Sequence, residues 1–172
     1  VHSLPRFDPA EFRSRLEPLF ELNPVEREEG LQASVRDGGD RPGVFGMLFK
    51  GESEAWVARW REGAGLERPL MAAMPEPLRR LDVILLHRLV LEEILGITTE
   101  AQVRASHIDY LTEDRDLFRH MSGGAAQIGF LMNPTRMEQV IEVTRQGLRL
   151  PQKTTCFYPK VQTGLVLNPL DD

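Results

Sequence analysis

The sequence predicts an α+β domain, with a mixed sheet of about five to six short strands packed around a long central helix and several shorter helices. Three observations lead there. A helix running from Pro77 to Leu95 carries apolar residues in nearly every direction, which places it inside a core. Two β-like runs, Val44 to Lys50 and Glu54 to Trp60, flank the polar Gly51-Glu52-Ser53 and read as a hairpin. After residue 97, strand-like and helix-like stretches alternate, which suggests at least one right-handed crossover.

The elements follow in order. Asp8, Pro9 and Glu11 give the first helix a cap, a first-turn proline and an acidic residue. Phe12, Leu16, Leu19 and Phe20 then share one face, and Pro18 bends or ends the helix. Residues 20–25 alternate as a short strand, and residues 26–36, with Glu26, Glu28 and Glu29 in the first turn, suit a second helix. Asp37-Gly38-Gly39-Asp40-Arg41-Pro42-Gly43 is a turn by composition. Residues 61–76 are an irregular loop within a single domain spanning 1–172.

Beyond the central helix, Ile108 to Leu111 reads as a strand, Glu113 to Met121 as a helix and Gln127 to Met132 as a strand. Thr135 to Gln146 reads as a helix with the capping box Thr135-x-x-Glu138 and an apolar face of Met137, Val140, Ile141 and Thr144. Leu165 to Leu167 is a last strand.

The formal charge is −5, and no basic stripe is present, which argues against a nucleic-acid partner. The most apolar stretch, Leu81 to Leu95, is broken by charged residues, and no membrane span is expected. Cys156 is the single cysteine, so no internal disulfide forms, which fits a reducing, cytoplasmic compartment. His2, His87, His107 and His120 have no ligand-like spacing, and no metal or cofactor is expected. Cys156 lacks a nearby base, no G-x-S-x-G turn occurs, and Ser122-Gly123-Gly124 follows a helix where a phosphate loop would precede one. No catalytic residue is assigned.

One segment stands apart. Leu150 to Lys160 holds two lysines, two threonines, two aromatics and two prolines. Prolines restrict the backbone, threonine hydroxyls donate to phosphate oxygens, and lysines supply charge. Lys153, Thr154, Thr155, Tyr158 and Lys160 are therefore candidate anion contacts. The other reading is a structural loop whose Phe157 and Tyr158 pack inward while the lysines are solvated.

Three segments in order carry a family resemblance: Leu86-His87-Arg88-Leu89 with Leu95-Gly96, Gly129-Phe130-Leu131-Met132-Asn133-Pro134-Thr135, and Pro151-Gln152-Lys153-Thr154-Thr155-Cys156-Phe157-Tyr158-Pro159-Lys160 with Gly164-Leu165-Val166. Together they resemble the C-terminal half of the bacterial and archaeal family catalogued as domain of unknown function 1015. Leu150 and Thr154 stand where that family's closing signature has methionine and serine. The resemblance implies a longer parent whose N-terminal domain carries a D-G-H-H-R-like motif. Asp37-Gly38-Gly39-Asp40-Arg41 lacks the histidines and is read as a turn. The chain is then expected to be a non-catalytic C-terminal domain packing against that N-terminal domain, with an exposed apolar patch or a homodimer as the consequence. The alternative is a loop that contributes phosphate contacts to a kinase-like site for a phosphate-bearing small molecule, completed by the N-terminal domain.

Overall fold

The computed structural model describes residues 1–151 and Thr154. Helix α1 (Pro9–Leu16) begins where Asp8 accepts the Glu11 N–H at 2.8 Å, and it buries Phe12 and Leu16. Strand β1 (Phe20–Val25) follows, and then α2 (Glu29–Asp37), which buries Leu31 and Val35. The hairpin forms as the sequence indicates, from β2 (Val44–Phe49) and β3 (Ala55–Trp60). Gly51, at φ 81°, supplies the left-handed backbone that its turn needs.

The remaining elements are α3 (Pro69–Ala72), α4 (Glu76–Arg79), α5 (Asp82–Ile84), a π-helical segment (Leu85–Ile94), α6 (Thr99–Val103), α7 (Asp114–Ser122), β4 (Ile128–Met132) and α8 (Met137–Arg145). The domain is α+β, but the sheet corrects the expectation. Among the described residues it has four strands in the order β1-β3-β2-β4, and every pairing is antiparallel. The mixed sheet and its crossover are therefore absent from the described residues. Ile108 to Leu111 is irregular: only Ile108 is buried, so the run lacks the alternating anchors that hold a strand on a core. The proposed strand Leu165 to Leu167 lies outside the described residues.

The central helix is also not one helix. Leu81 adopts extended geometry (φ −74°, ψ 131°) and separates α4 from α5. That turn sends Leu81 into the core, at 2% exposure. From Leu85 the ladder widens, and at its end the Leu95 N–H reaches the Val90 carbonyl, five residues back, at 2.9 Å. A π-turn is wider than an α-turn, so a 3.6-residue reading of its faces fails. From Leu81 to Leu95 no position is exposed, whereas Arg80, inside the span expected to be one buried helix, is. Strand β2 is more buried again, with all six of its residues inside.

Burial of β2 on both sides follows from helices covering both faces of the sheet. Phe45, Met47 and Phe49 join Phe12, Leu16 and the π-helical segment in one cluster. Val44 and Leu48 join Leu31 and Val35 of α2 and Leu117, Phe118 and Met121 of α7 in the other. At the hairpin turn the Arg13 guanidinium forks onto both oxygens of Glu52 at 2.8 and 2.9 Å and lies over the Trp56 ring. This pins α1 to the loop between β2 and β3.

Helix α8 departs from expectation in two ways. Its N-cap is Arg136, whose N–H is accepted by the Gln139 side chain at 3.0 Å, in place of the Thr135 and Glu138 box. Val143 is its buried residue, while Met137, Ile141 and Thr144 are exposed. Among the described residues no helix is long and apolar enough to cross a membrane.

Candidate functional site

Two features meet on β4. The first is the outer edge of the strand. The register of β2 on β4, with the Lys50 N–H on the Gln127 carbonyl, turns the peptide groups of Ile128, Phe130 and Met132 away from the sheet. Val1 takes up Ile128: its amino group donates to the Ile128 carbonyl at 2.7 Å, and the Ile128 N–H returns to the Val1 carbonyl at 3.2 Å. Among the described residues no strand covers Phe130 and Met132.

This edge forms one wall of a cleft of about 280 Å³. Leu86 and Leu91 of the π-helical segment and Ile108 line its depth. Asp109, Glu113 and Asp114 line it too, and Tyr110 and Leu111, at 41% and 38% exposure, contribute apolar surface still open to solvent. His87 lies within 6.4 Å of the Tyr110 ring, centroid to centroid. Burial pushes the His87 imidazole below its ordinary value, and the neighbouring Arg88 charge adds to this. Burial also raises the Tyr110 hydroxyl. Both groups favour their neutral forms here. The acidic residues make the cleft a poor place for a phosphate.

The second feature is the junction between β4 and α8. Asn133 donates to the Val35 carbonyl at 2.7 Å, and Arg136 to the Asp40 carbonyl at 2.7 Å. These bonds draw the end of α2 and the glycine-rich 37–43 turn onto the residues that follow β4. On the same turn the Gly43 N–H donates to the Asp82 carboxylate at 2.7 Å. Gly43 has φ 73°, and a Cβ there would meet Trp60 Cβ at 2.4 Å, so the position requires glycine. Burial raises the Asp82 carboxyl, while the Gly43 N–H and Arg136 pull it back.

Thr154 completes this junction. The Thr135 hydroxyl donates to its carbonyl at 2.9 Å, and the Thr154 hydroxyl donates to the Pro151 carbonyl at 2.6 Å. Its side-chain proton is thus committed within the loop, which removes it as a phosphate donor in this arrangement. Lys153, Thr155, Tyr158 and Lys160 lie outside the described residues.

Residue-type reasoning did not single out the cleft. Its signal was the apolar Ile128, Phe130 and Met132 together with the failed strand at 108–111, and only pairing order shows which edge of β4 is open. Among the described residues no group of three histidine, cysteine or acidic side chains is placed to hold a metal. Comparisons with family models, with curated proteins and with solved structures each gave no match to this chain.

Proposed function

We propose that the chain is a non-catalytic domain that docks the N-terminal domain of a longer cytoplasmic parent. The observation that carries this reading is the exposed pair Tyr110 and Leu111 beside the point where Val1 enters the cleft. Apolar side chains grouped at a cleft and rimmed by charge are the usual composition of a docking surface. Asp109, Glu113 and Asp114 favour a partner surface bearing lysine or arginine. The test is co-purification of this chain with the parent's N-terminal domain. Tyr110→Asp and Leu111→Asp should each abolish capture while leaving thermal unfolding unchanged. Capture undiminished in both variants would reject the reading.

A second reading keeps the signature loop as a contributor to a phosphate site completed by the partner. It is favoured by the position of Thr154 beside the N-terminal turn of α8, where helix dipoles attract anions. Lys153, Thr155 and Lys160 would then supply the contacts, with Tyr158 as anchor. Titration of the parent with nucleotides and phosphorylated metabolites decides it. Lys153→Ala and Lys160→Ala should each weaken binding about ten- to a hundredfold, and unchanged affinity in both rejects the idea.

A further inference from the structure

We infer that Val1 to Leu4 form a releasable clasp across two walls of the cleft, which sets how far the 107–111 wall stands from β4. The segment bonds to one wall and then to the other. On the β4 side, the Val1 carbonyl accepts the Gln127 N–H at 2.9 Å and the Ile128 N–H at 3.2 Å. On the opposite side, the His2 N–H donates to the His107 carbonyl at 3.0 Å, and His2 Nε2 lies 3.7 Å from an Asp109 carboxylate oxygen. Neighbouring peptide groups of an extended chain point in opposite directions, so one short segment can hold both walls.

Gln127 fixes the far end of the clasp. Its Oε1 accepts the Leu4 N–H at 2.6 Å, and its Nε2 donates to the Leu4 carbonyl at 2.9 Å. Both ends of one side-chain amide are therefore spent on one residue of the segment, as a neighbouring strand would spend its peptide groups.

The clasp is held against strain. Among the described residues, the non-glycine positions with left-handed backbone are Ser3 (φ 57°), Arg6 (φ 52°) and Ala105 (φ 51°). Ser3 lies in the clasp, Arg6 just after it, and Ala105 just before the His107 that it grips. Such conformations cost energy and persist only where the surroundings impose them. Residues 1–7 offer little burial in return, since none of them is fully buried. A segment that combines strain with shallow burial opens at lower cost than the sheet to which it is fastened. When it opens, the bond to His107 is lost, and the wall that carries Tyr110 and Leu111 is freed on that side. The clasp stands apart from the docking reading, since it acts on the cleft with or without a partner there.

Amide hydrogen exchange on the full chain tests this. The Ile128 N–H faces Val1 and the Gly129 N–H faces β2, so adjacent amides report on the clasp and on the sheet. Leu4 and Ile128 should show equal protection, well below that of Gly129. Gln127→Leu removes both bonds to Leu4 and should raise exchange at Leu4 and Ile128 by about tenfold or more, with Gly129 unchanged. Ser3→Val keeps every backbone bond but puts a β-branched side chain on left-handed backbone at an exposed position, and it should act in the same direction. In both variants trypsin should cut faster after the exposed Arg104, at the root of the freed wall. Any of three results overturns the inference: unequal protection at Leu4 and Ile128 in the wild-type chain, Ile128 protected as strongly as Gly129 in the variants, or unchanged cleavage after Arg104 while the two amides quicken.

Discussion

The Thr135 hydroxyl donates to the Thr154 carbonyl at 2.9 Å, and this one bond joins two segments that the sequence keeps apart. It connects the turn after β4 to the last described residue of the signature loop. Thr135→Val keeps the shape and removes the donor. The expected cost is about 1 kcal/mol of stability, read as a lower denaturant midpoint at unchanged slope. Exchange at Thr154 should also quicken, and an unaltered midpoint together with unaltered exchange would remove the bond from any structural role.

Asp82 sets a pH dependence of definite sign. Burial raises its carboxyl above the ordinary 3.8, so the fold holds this proton more firmly than the open chain does. Between the two values stability falls as pH rises, and at neutral pH the full cost of burying the charge is present. Asp82→Asn keeps an oxygen for the Gly43 N–H and has no charge to bury. It should be more stable than wild type at neutral pH, with the advantage shrinking on acidification toward the ordinary carboxylate range. Paired denaturation curves across that range are the measurement.

His87 acts in the opposite direction. Burial and Arg88 lower its value below 6.5, so under mild acid the open chain takes up a proton that the fold refuses. Stability is therefore lost as pH falls from 6.5 toward the lowered value. His87→Gln should flatten the stability profile on the acid side of neutrality. A profile as steep as wild type would place the acid sensitivity elsewhere.

Leu89 is fully buried in the π-helical segment, at 0% exposure. Leu89→Ala should cost about 2–5 kcal/mol through lost transfer energy and the cavity left behind. Calorimetric or chemical unfolding would measure it, and a loss below about 1 kcal/mol would mean that the surrounding core collapses to fill the space.

Local chemistry made much of this fold legible. Asp8 and Pro9 announce α1, and the polar Gly51-Glu52-Ser53 announces the hairpin, because caps and turns are satisfied by neighbours in sequence. The long helix misled because its apolar run reports burial and not winding. Leu81 breaks the ladder to enter the core, which no periodicity encodes. In α8 the apolar Met137 and Ile141 are exposed, and the buried residue is Val143. A helix face alone does not say which side meets the rest of the chain. The cleft was hidden for the same reason, since an open edge belongs to strand order. The signature loop was conspicuous by residue type, yet Thr154 spends its hydroxyl on Pro151, which composition could not reveal.

The pairing of β2 with β4 has a consequence for the order of assembly. Strands β2 and β3 are joined by a short turn and can zip together locally, whereas Phe49 meets Ile128 only after residues 50–127 have been gathered in. Closing so long a loop carries an entropic cost before any contact repays it. The expected sequence of events is an early hairpin against α1, with β4 and the cleft it borders forming last. Pulse-labelling exchange during refolding should then protect Ala58, whose N–H faces β2, before Leu131, and simultaneous protection would indicate a single concerted closure. The edge of β4 would be the youngest surface of the molecule, exposed for the longest part of its folding and the most open to capture by other chains before the sheet is complete.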